Sequence, residues 1–172
     1  MKVRLVTLDE MRKAHSAEGY MPEAYPIGGY EEIQGLRIAI ENPKGSKRRW
    51  YDAKAGKPGE TRMHHPYGYI VGYEGADGDE VDVFLGPKRD SQTVYVINQR
   101  RAQDTRKFDE HKVMLGFDSE EAAKRAYLRN YDRKGPTLLG SCRVVSMERF
   151  KRWLESGNKR KPLCKSLLMV PL

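Results

Sequence analysis

Long apolar runs, paired cysteines and clustered histidines are all missing from this chain of 172 residues, and each absence removes a class of function. No segment approaches the roughly 18–20 apolar residues that span a bilayer, so no membrane role is expected. The opening MKVRLVTLDE lacks the apolar stretch of a secretory leader, which predicts a cytoplasmic protein. Cys142 and Cys164 form no CxxC pair and have no histidines at zinc-finger spacing. They read as reduced thiols, at least one of them buried. The histidines (His15, His64, His65 and His111) make no HExxH. Adjacent His64 and His65 point to opposite faces of an extended segment, which argues against transition-metal chemistry. No repeat or low-complexity tract divides the chain.

What is present is charge. Charged residues make up 33% of the chain against 38% hydrophobic, and the net charge is +8. The length suits one domain with one core. The positive balance favours polyanionic partners, with small basic concentrations over 44–49, 100–107 and 159–165. Nucleic acid is the less favoured of these, because aromatic residues do not interleave with the basic clusters as a stacking platform requires.

Apolar–polar alternation predicts short strands over 36–41, 67–73, 81–85, 93–98 and 112–117, with 48–51 as a further partner. A strand over 3–8, a helix over 9–16 and an extended arm over 18–35, rich in Gly, Pro and Tyr, precede them. The last third turns helical. Asp118 or Ser119 caps one helix with Glu120 and Glu121 in its first turn, and Ser146 caps another that stops at Gly157. In the latter, Met147, Phe150, Trp153 and Leu154 form an apolar stripe that reads as core. The terminal SLLMVPL closes the sheet or pads the core. Strands first and helices after make an α+β protein, and short strands at this spacing suggest a small closed or partly closed barrel.

The chemistry concentrates in YGYIVGYEGADGDEVDVFLG, residues 67–86. Val81, Val83 and Leu85 alternate with Asp82 and Phe84, so a strand places Asp82 on the face opposite the valines. The turn Asp77-Gly78-Asp79 draws two more carboxylates together. Such acids repel one another unless a cation sits between them, and hard oxygen donors suit Mg²⁺. A bare Asp-Gly-Asp is more often a plain polar turn. An EF-hand is excluded, since the closing bidentate Glu is missing.

Context decides between these. Tyr67-Gly68-Tyr69-Ile70 followed by Asp77-Gly78-Asp79-Glu80-Val81-Asp82-Val83 resembles the signature of family I soluble inorganic pyrophosphatases, a tyrosine-glycine-tyrosine strand followed by D-[GS]-D-P-x-D-V. Glu80 stands where that family has proline. Glu41 in IAIENP resembles the family's early glutamate, and Arg49-Trp50-Tyr51-Asp52 stands in for its Lys-Tyr-Glu. Arg62 resembles a phosphate-binding arginine. Glu110-His111-Lys112 resembles its D-x-K segment, with Asp104 or Asp109 as an upstream ligand. Tyr131 resembles a phosphate-binding tyrosine, although Asp132 replaces the lysine that follows. The similarity covers roughly residues 36–132, and KFDEHKVMLGFDS resembles phage and prophage forms.

The resemblance implies a small OB-like mixed or antiparallel β-barrel with two C-terminal helices packed on it. It implies one domain over 1–172: an arm over 1–35, barrel and site over 36–132, and a closing part over 133–172. Two or more Mg²⁺ ions, with Mn²⁺ as a substitute, would be held by Asp77, Asp82, Glu110, Asp109 and Glu41. Asp79 would be the general base, and Lys112, Arg62, Arg49, Tyr67 and Tyr131 would bind phosphate. The expected activity is Mg²⁺-dependent hydrolysis of pyrophosphate in the cytoplasm, for a phage-encoded form that of the host, with a homo-oligomer left open. The departures among phosphate-binding residues keep two alternatives in view. One is hydrolysis of another phosphoanhydride such as a nucleotide. The other is a catalytically degenerate barrel that binds nucleic acid or a phage or host protein. Glu110 and Lys112 share a strand face and could equally be a plain surface ion pair.

Overall fold

A computed structural model describes residues 28–52 and 55–164, so the expectations over 3–8, 9–16 and the terminal SLLMVPL lie outside the described residues. The chain forms β1 (Tyr30–Ile33), β2 (Leu36–Asn42), β3 (Lys47–Asp52), β4 (Lys57–Arg62), β5 (Tyr67–Glu74), β6 (Glu80–Leu85), β7 (Thr93–Arg100) and β8 (Phe108–Leu115). Helix α1 (Glu120–Asn130), a 3₁₀ turn (Asp132–Lys134), α2 (Gly135–Leu138), β9 (Cys142–Ser146) and α3 (Met147–Ser156) follow. Ser119 and Ser146 cap α1 and α3 as expected, accepting from Ala122 N and Arg149 N.

Seven strands make one mixed sheet in the order β1-β2-β5-β6-β8-β7-β9, and β3 and β4 form a separate ribbon. Only β6 and β8 run parallel; the other pairs are antiparallel. The fold is α+β and OB-like, but the sheet is open. Its edges, β1 and β9, are strands of four and five residues that do not pair with each other. Three expectations change. The stretch over 18–35 includes β1; the strand over 48–51 pairs not with 36–41 but with β4, over 57–62, where no strand was expected; and β9 returns to the sheet between the helices, so strands do not all precede helices. β1 and β9 owe their state to pairing with β2 and β7 rather than to a local pattern.

Each face of the sheet has its own core. One is aliphatic: Ile38, Ile70, Val83, Val96, Val113 and Leu115 pack against Met147, Phe150, Trp153 and Leu154 of α3. The other is aromatic: Tyr67, Phe84, Tyr95 and Met114 pack against Ala123, Ala126 and Tyr127 of α1. Gly68 lets β5 close on β2, because a Cβ there would run into the Ala39 carbonyl oxygen. Both thiols are free, Cys142 buried and Cys164 exposed. Among the described residues no helix is long and apolar enough to cross a membrane.

Candidate active site

The site lies on the aromatic face, and register builds it. In the parallel β6/β8 pair Asp82 is level with Lys112, while Tyr67 of β5 is level with Phe84. Period-2 alternation therefore turns Tyr67, Asp82 and Lys112 to one side and sends the valines to the aliphatic core. Lys112 is only 2% exposed and its ammonium is enclosed. It pairs with Asp82, lies 2.9 Å from Glu110 and donates to the Tyr67 hydroxyl at 3.2 Å. Lys112 and Glu110 are thus not a plain surface ion pair. The same hydroxyl accepts from Arg48 Nη2 at 3.2 Å, and the guanidinium sits 4.4 Å above the ring centroid. Two cations converge on one phenol.

Two bulges aim the acids. Pairing between β2 and β5 slips between Ile40 and Asn42, leaving Glu41 as the extra residue. Its carboxyl lies in the field of Asp82, Arg48, Lys112 and Glu80. Between β7 and β8 the register slips again, so that Asp109 and Glu110 together face Gln99. Gln99 Nε2 donates to both carboxylates at 3.3 Å, and its own carbonyl accepts from the Tyr127 hydroxyl at 2.7 Å. Asp77 and Asp79 sit in the exposed β5–β6 turn, where Gly78 has φ +96° and Asp77 Oδ1 accepts from Asp79 N at 3.2 Å. A shallow cleft runs from this turn past Glu80 and Asp82 to Glu110.

The charges are unevenly settled. Burial alone would pull the Lys112 ammonium down, but Asp82, Tyr131, Tyr67 and Glu110 outweigh it and hold it well above the usual range. Burial opposes the charge on Asp82, yet Lys112 keeps that carboxyl low. Burial raises Glu110 to about 7, with Lys112 opposing and Asp82 adding. Glu41 also rises to about 7, by burial and then by Asp82. Asp79 is raised by desolvation and by its neighbours Asp77, Glu80 and Asp82. Burial raises the hydroxyls of Tyr67 and Tyr131 and keeps both neutral. Tyr131 stacks on Tyr127, with centroids 4.4 Å apart, and its buried hydroxyl lies beside the Arg48 guanidinium and in the field of Lys112.

Tyr67, Asp82, Lys112, Glu110, Glu41 and Tyr131 therefore share one cluster of hydrogen bonds and charge, and Asp109 joins it through Gln99; Asp77, Glu80, Asp82 and Glu110 line the cleft, with Asp79 beside Asp77 in the turn. Arg49 and Arg62 do not join them. On the β3/β4 ribbon Arg49 pairs with Glu60 and Arg62 with Lys47, and both arginines are exposed on the face opposite Arg48. The ribbon's guanidinium at the site belongs to Arg48, one residue earlier, because strand alternation turns Arg48 and Trp50 inward and Arg49 outward. Gln99 and Tyr127 carried no motif. They are found only through the β7/β8 bulge.

Among the described residues no three His, Cys, Asp or Glu side chains converge to hold a metal ion as they stand. The donor set nonetheless fits a hard divalent cation. It is all oxygen, and Glu41, Asp79 and Glu110 are all raised with Asp82's charge as a shared cause, repulsion that a cation would relieve. A family model described as Inorganic Pyrophosphatase matches residues 17–155. No curated protein matches the chain.

Proposed function

The chain belongs to the inorganic pyrophosphatase family, and on that premise we propose that it hydrolyses pyrophosphate to two phosphates with a divalent cation, Mg²⁺ or Mn²⁺, as cofactor. The observation that carries this reading is the enclosed Lys112, held by Asp82 and Glu110 and joined to Arg48 through the Tyr67 hydroxyl. A phosphoanhydride bears several negative charges, and its cleavage leaves one more on the departing phosphate. Preorganised cations beside a row of acids meet that demand. Surface arginines and the net charge of +8 favour approach of the anion.

Asp77, Asp82, Glu110, Asp109 and Glu41 would hold the cations. When bound, divalent ions neutralise phosphate charge and make a nearby water more acidic. Asp79 stands beside Asp77 in the turn, more basic than a free aspartate, and accepts the proton of the attacking water. The water oxygen bonds to one phosphorus, the bridging P–O bond breaks, and its electron pair leaves on the second phosphate. Lys112 and Arg48 stabilise that developing charge, and the neutral Tyr67 and Tyr131 hydroxyls donate to phosphate oxygens. Arg49 and Arg62, on the outer ribbon face, contribute charge at a distance. The phage-type assignment rests on the resemblance of residues 107–119.

Phosphate release from pyrophosphate, titrated with Mg²⁺ and with Mn²⁺ across pH 6–9, tests the reading. Asp79→Asn should lower kcat by about 10²–10⁴-fold, with an unchanged melting temperature because the side chain is exposed. Absence of phosphate release throughout that range would overturn the proposal.

A further inference from the structure

Where β7 meets β8, the register slips by one residue. Asn98 is level with His111 and Arg100 with Phe108, so Gln99 stands opposite two residues, Asp109 and Glu110. In an unbroken strand those neighbours would point to opposite faces. The extra residue cancels the alternation. Phe108 and His111 end on one side, their rings 4.7 Å apart. The two acids between them both reach the other side, where Gln99 meets them.

Gln99 is 5% exposed, and its amide is committed at both ends. Nε2 donates to Asp109 Oδ2 and to Glu110 Oε1, each at 3.3 Å, while Oε1 accepts from the Tyr127 hydroxyl at 2.7 Å. Chemistry fixes that orientation. Ionised carboxylates only accept, so the amide must face them with its nitrogen and two hydrogens. The oxygen left behind needs a donor, and Tyr127 supplies it. That phenol is fully buried in the aromatic core, and burial keeps it protonated. One amide clasps two acids, and one phenol fixes the amide.

Packing alone gains nothing from such a clasp. Two carboxylates drawn together repel each other, and a neutral amide does not cancel their charge. Lys112 serves Glu110 at 2.9 Å, but among the described residues no lysine or arginine pairs with the half-buried Asp109. Glu110 lines the cleft with Asp77, Glu80 and Asp82, and Gln99 is the contact that ties Asp109 to it. We infer that Gln99 is a positioning residue that holds Asp109 beside Glu110 as one paired oxygen ligand for a divalent cation, with Tyr127 setting its amide. This rests on reading the cleft as a metal-assisted phosphate site. Gln99 touches neither metal nor phosphate and acts through the carboxylates, as a hydrogen-bonding partner behind metal ligands does. A neutral donor suits the task, since a lysine or arginine at this place would repel the metal.

Calorimetry of Mn²⁺ added to the metal-free protein reads the ligand pair without turnover. Gln99→Met keeps an unbranched side chain and removes the amide, and it should weaken Mn²⁺ binding by about 10–100-fold. The Mg²⁺ concentration for half-maximal pyrophosphate hydrolysis should rise by a similar factor, with kcat at saturating Mg²⁺ within about threefold of the parent. Tyr127→Phe deletes only the hydroxyl and should weaken Mn²⁺ by a smaller factor. Asp109→Asn should cost as much as Gln99→Met, and the double variant no more than either alone, because both remove the same ligand. Phe150→Ala loosens the aliphatic face and should leave Mn²⁺ affinity unchanged, which separates positioning from general loss of stability.

Unchanged Mn²⁺ affinity in Gln99→Met, additive losses in the double variant, an equal loss in Phe150→Ala, or no Mn²⁺ binding by the parent overturns the inference. If Gln99→Met does not fold, Tyr127→Phe combined with Asp109→Asn carries the same cycle, and additive losses there overturn it too. Mn²⁺ binding that depends on Gln99, with no phosphate release from pyrophosphate, would leave the clasp standing and remove the hydrolase. Phosphate release whose metal dependence ignores Gln99→Met would do the reverse.

Discussion

The two faces of the central sheet are made by the same strands and have opposite chemistry. The face toward α3 is closed by valine, isoleucine, leucine and the Phe150–Trp153 pair, and the polar side chain His111 is buried there, between Phe108 and Trp153. The face toward α1 is aromatic and holds Lys112, Asp82, Gln99 and Glu110 in contact with one another. Alternation along β6 and β8 makes the separation unavoidable: a residue that serves the core on one face leaves its neighbour to serve the cleft on the other. The comparison teaches that stability and chemistry are separable here by face, and substitutions can test how cleanly.

The largest effect should come from Lys112, where the two roles meet. Lys112→Ala leaves Asp82 and Glu110 facing each other without their cation and should cost about 3–5 kcal/mol in denaturant unfolding. It should also abolish phosphate release. The double variant Lys112→Ala with Asp82→Asn should be less destabilised than the two single costs predict, by double-mutant cycle; strict additivity would show that the pair is not coupled.

Phe150→Ala, wholly on the aliphatic face, should cost about 3–5 kcal/mol in the same assay while the kcat of the folded fraction stays within twofold of the parent. A large fall in kcat would mean that the two faces are mechanically linked.

His111 sharpens the comparison through pH. It is 3% exposed, and burial, opposed by a backbone hydrogen bond at Lys161 and aided by Lys159, lowers its pKa to about 4. The unfolded chain takes up this proton near pH 6.5 and the folded one only near pH 4. Stability should therefore fall as pH drops through that window, by up to about 3 kcal/mol. His111→Phe should remove that part of the slope in melting temperature against pH, and an unchanged slope would place the titration elsewhere.

The smallest effect concerns the α3 cap. Ser146→Ala removes the bond to Arg149 N and should cost about 1 kcal/mol by thermal unfolding. Phosphate release should be unaffected, since α3 lies against the aliphatic face.

Much of this was legible from local pattern. The capped helices, the apolar stripe of Met147, Phe150, Trp153 and Leu154, and the placement of Asp82 opposite the valines all follow from periods of 3.6 and 2. β1 and β9 were missed because a strand of four or five residues carries little pattern until a partner completes it, and β4 because its KPGETR, with Pro and Gly, reads as a turn until β3 pairs with it. Arg49 was chosen over Arg48 because the adjacent arginines look alike until one knows which face of the ribbon meets Tyr67.

Sequence by itself therefore determined the longer strands and both capped helices, the α+β class and the stretch in which the carboxylate motif lies, because these depend on propensity and periodicity within a few residues. The tertiary structure decided the company each charge keeps. That Lys112 is enclosed rather than exposed, and that bulges turn Glu41 and the Asp109–Glu110 pair toward the site, depend on register between distant strands. Register is a property of pairs of strands, and no single segment contains it.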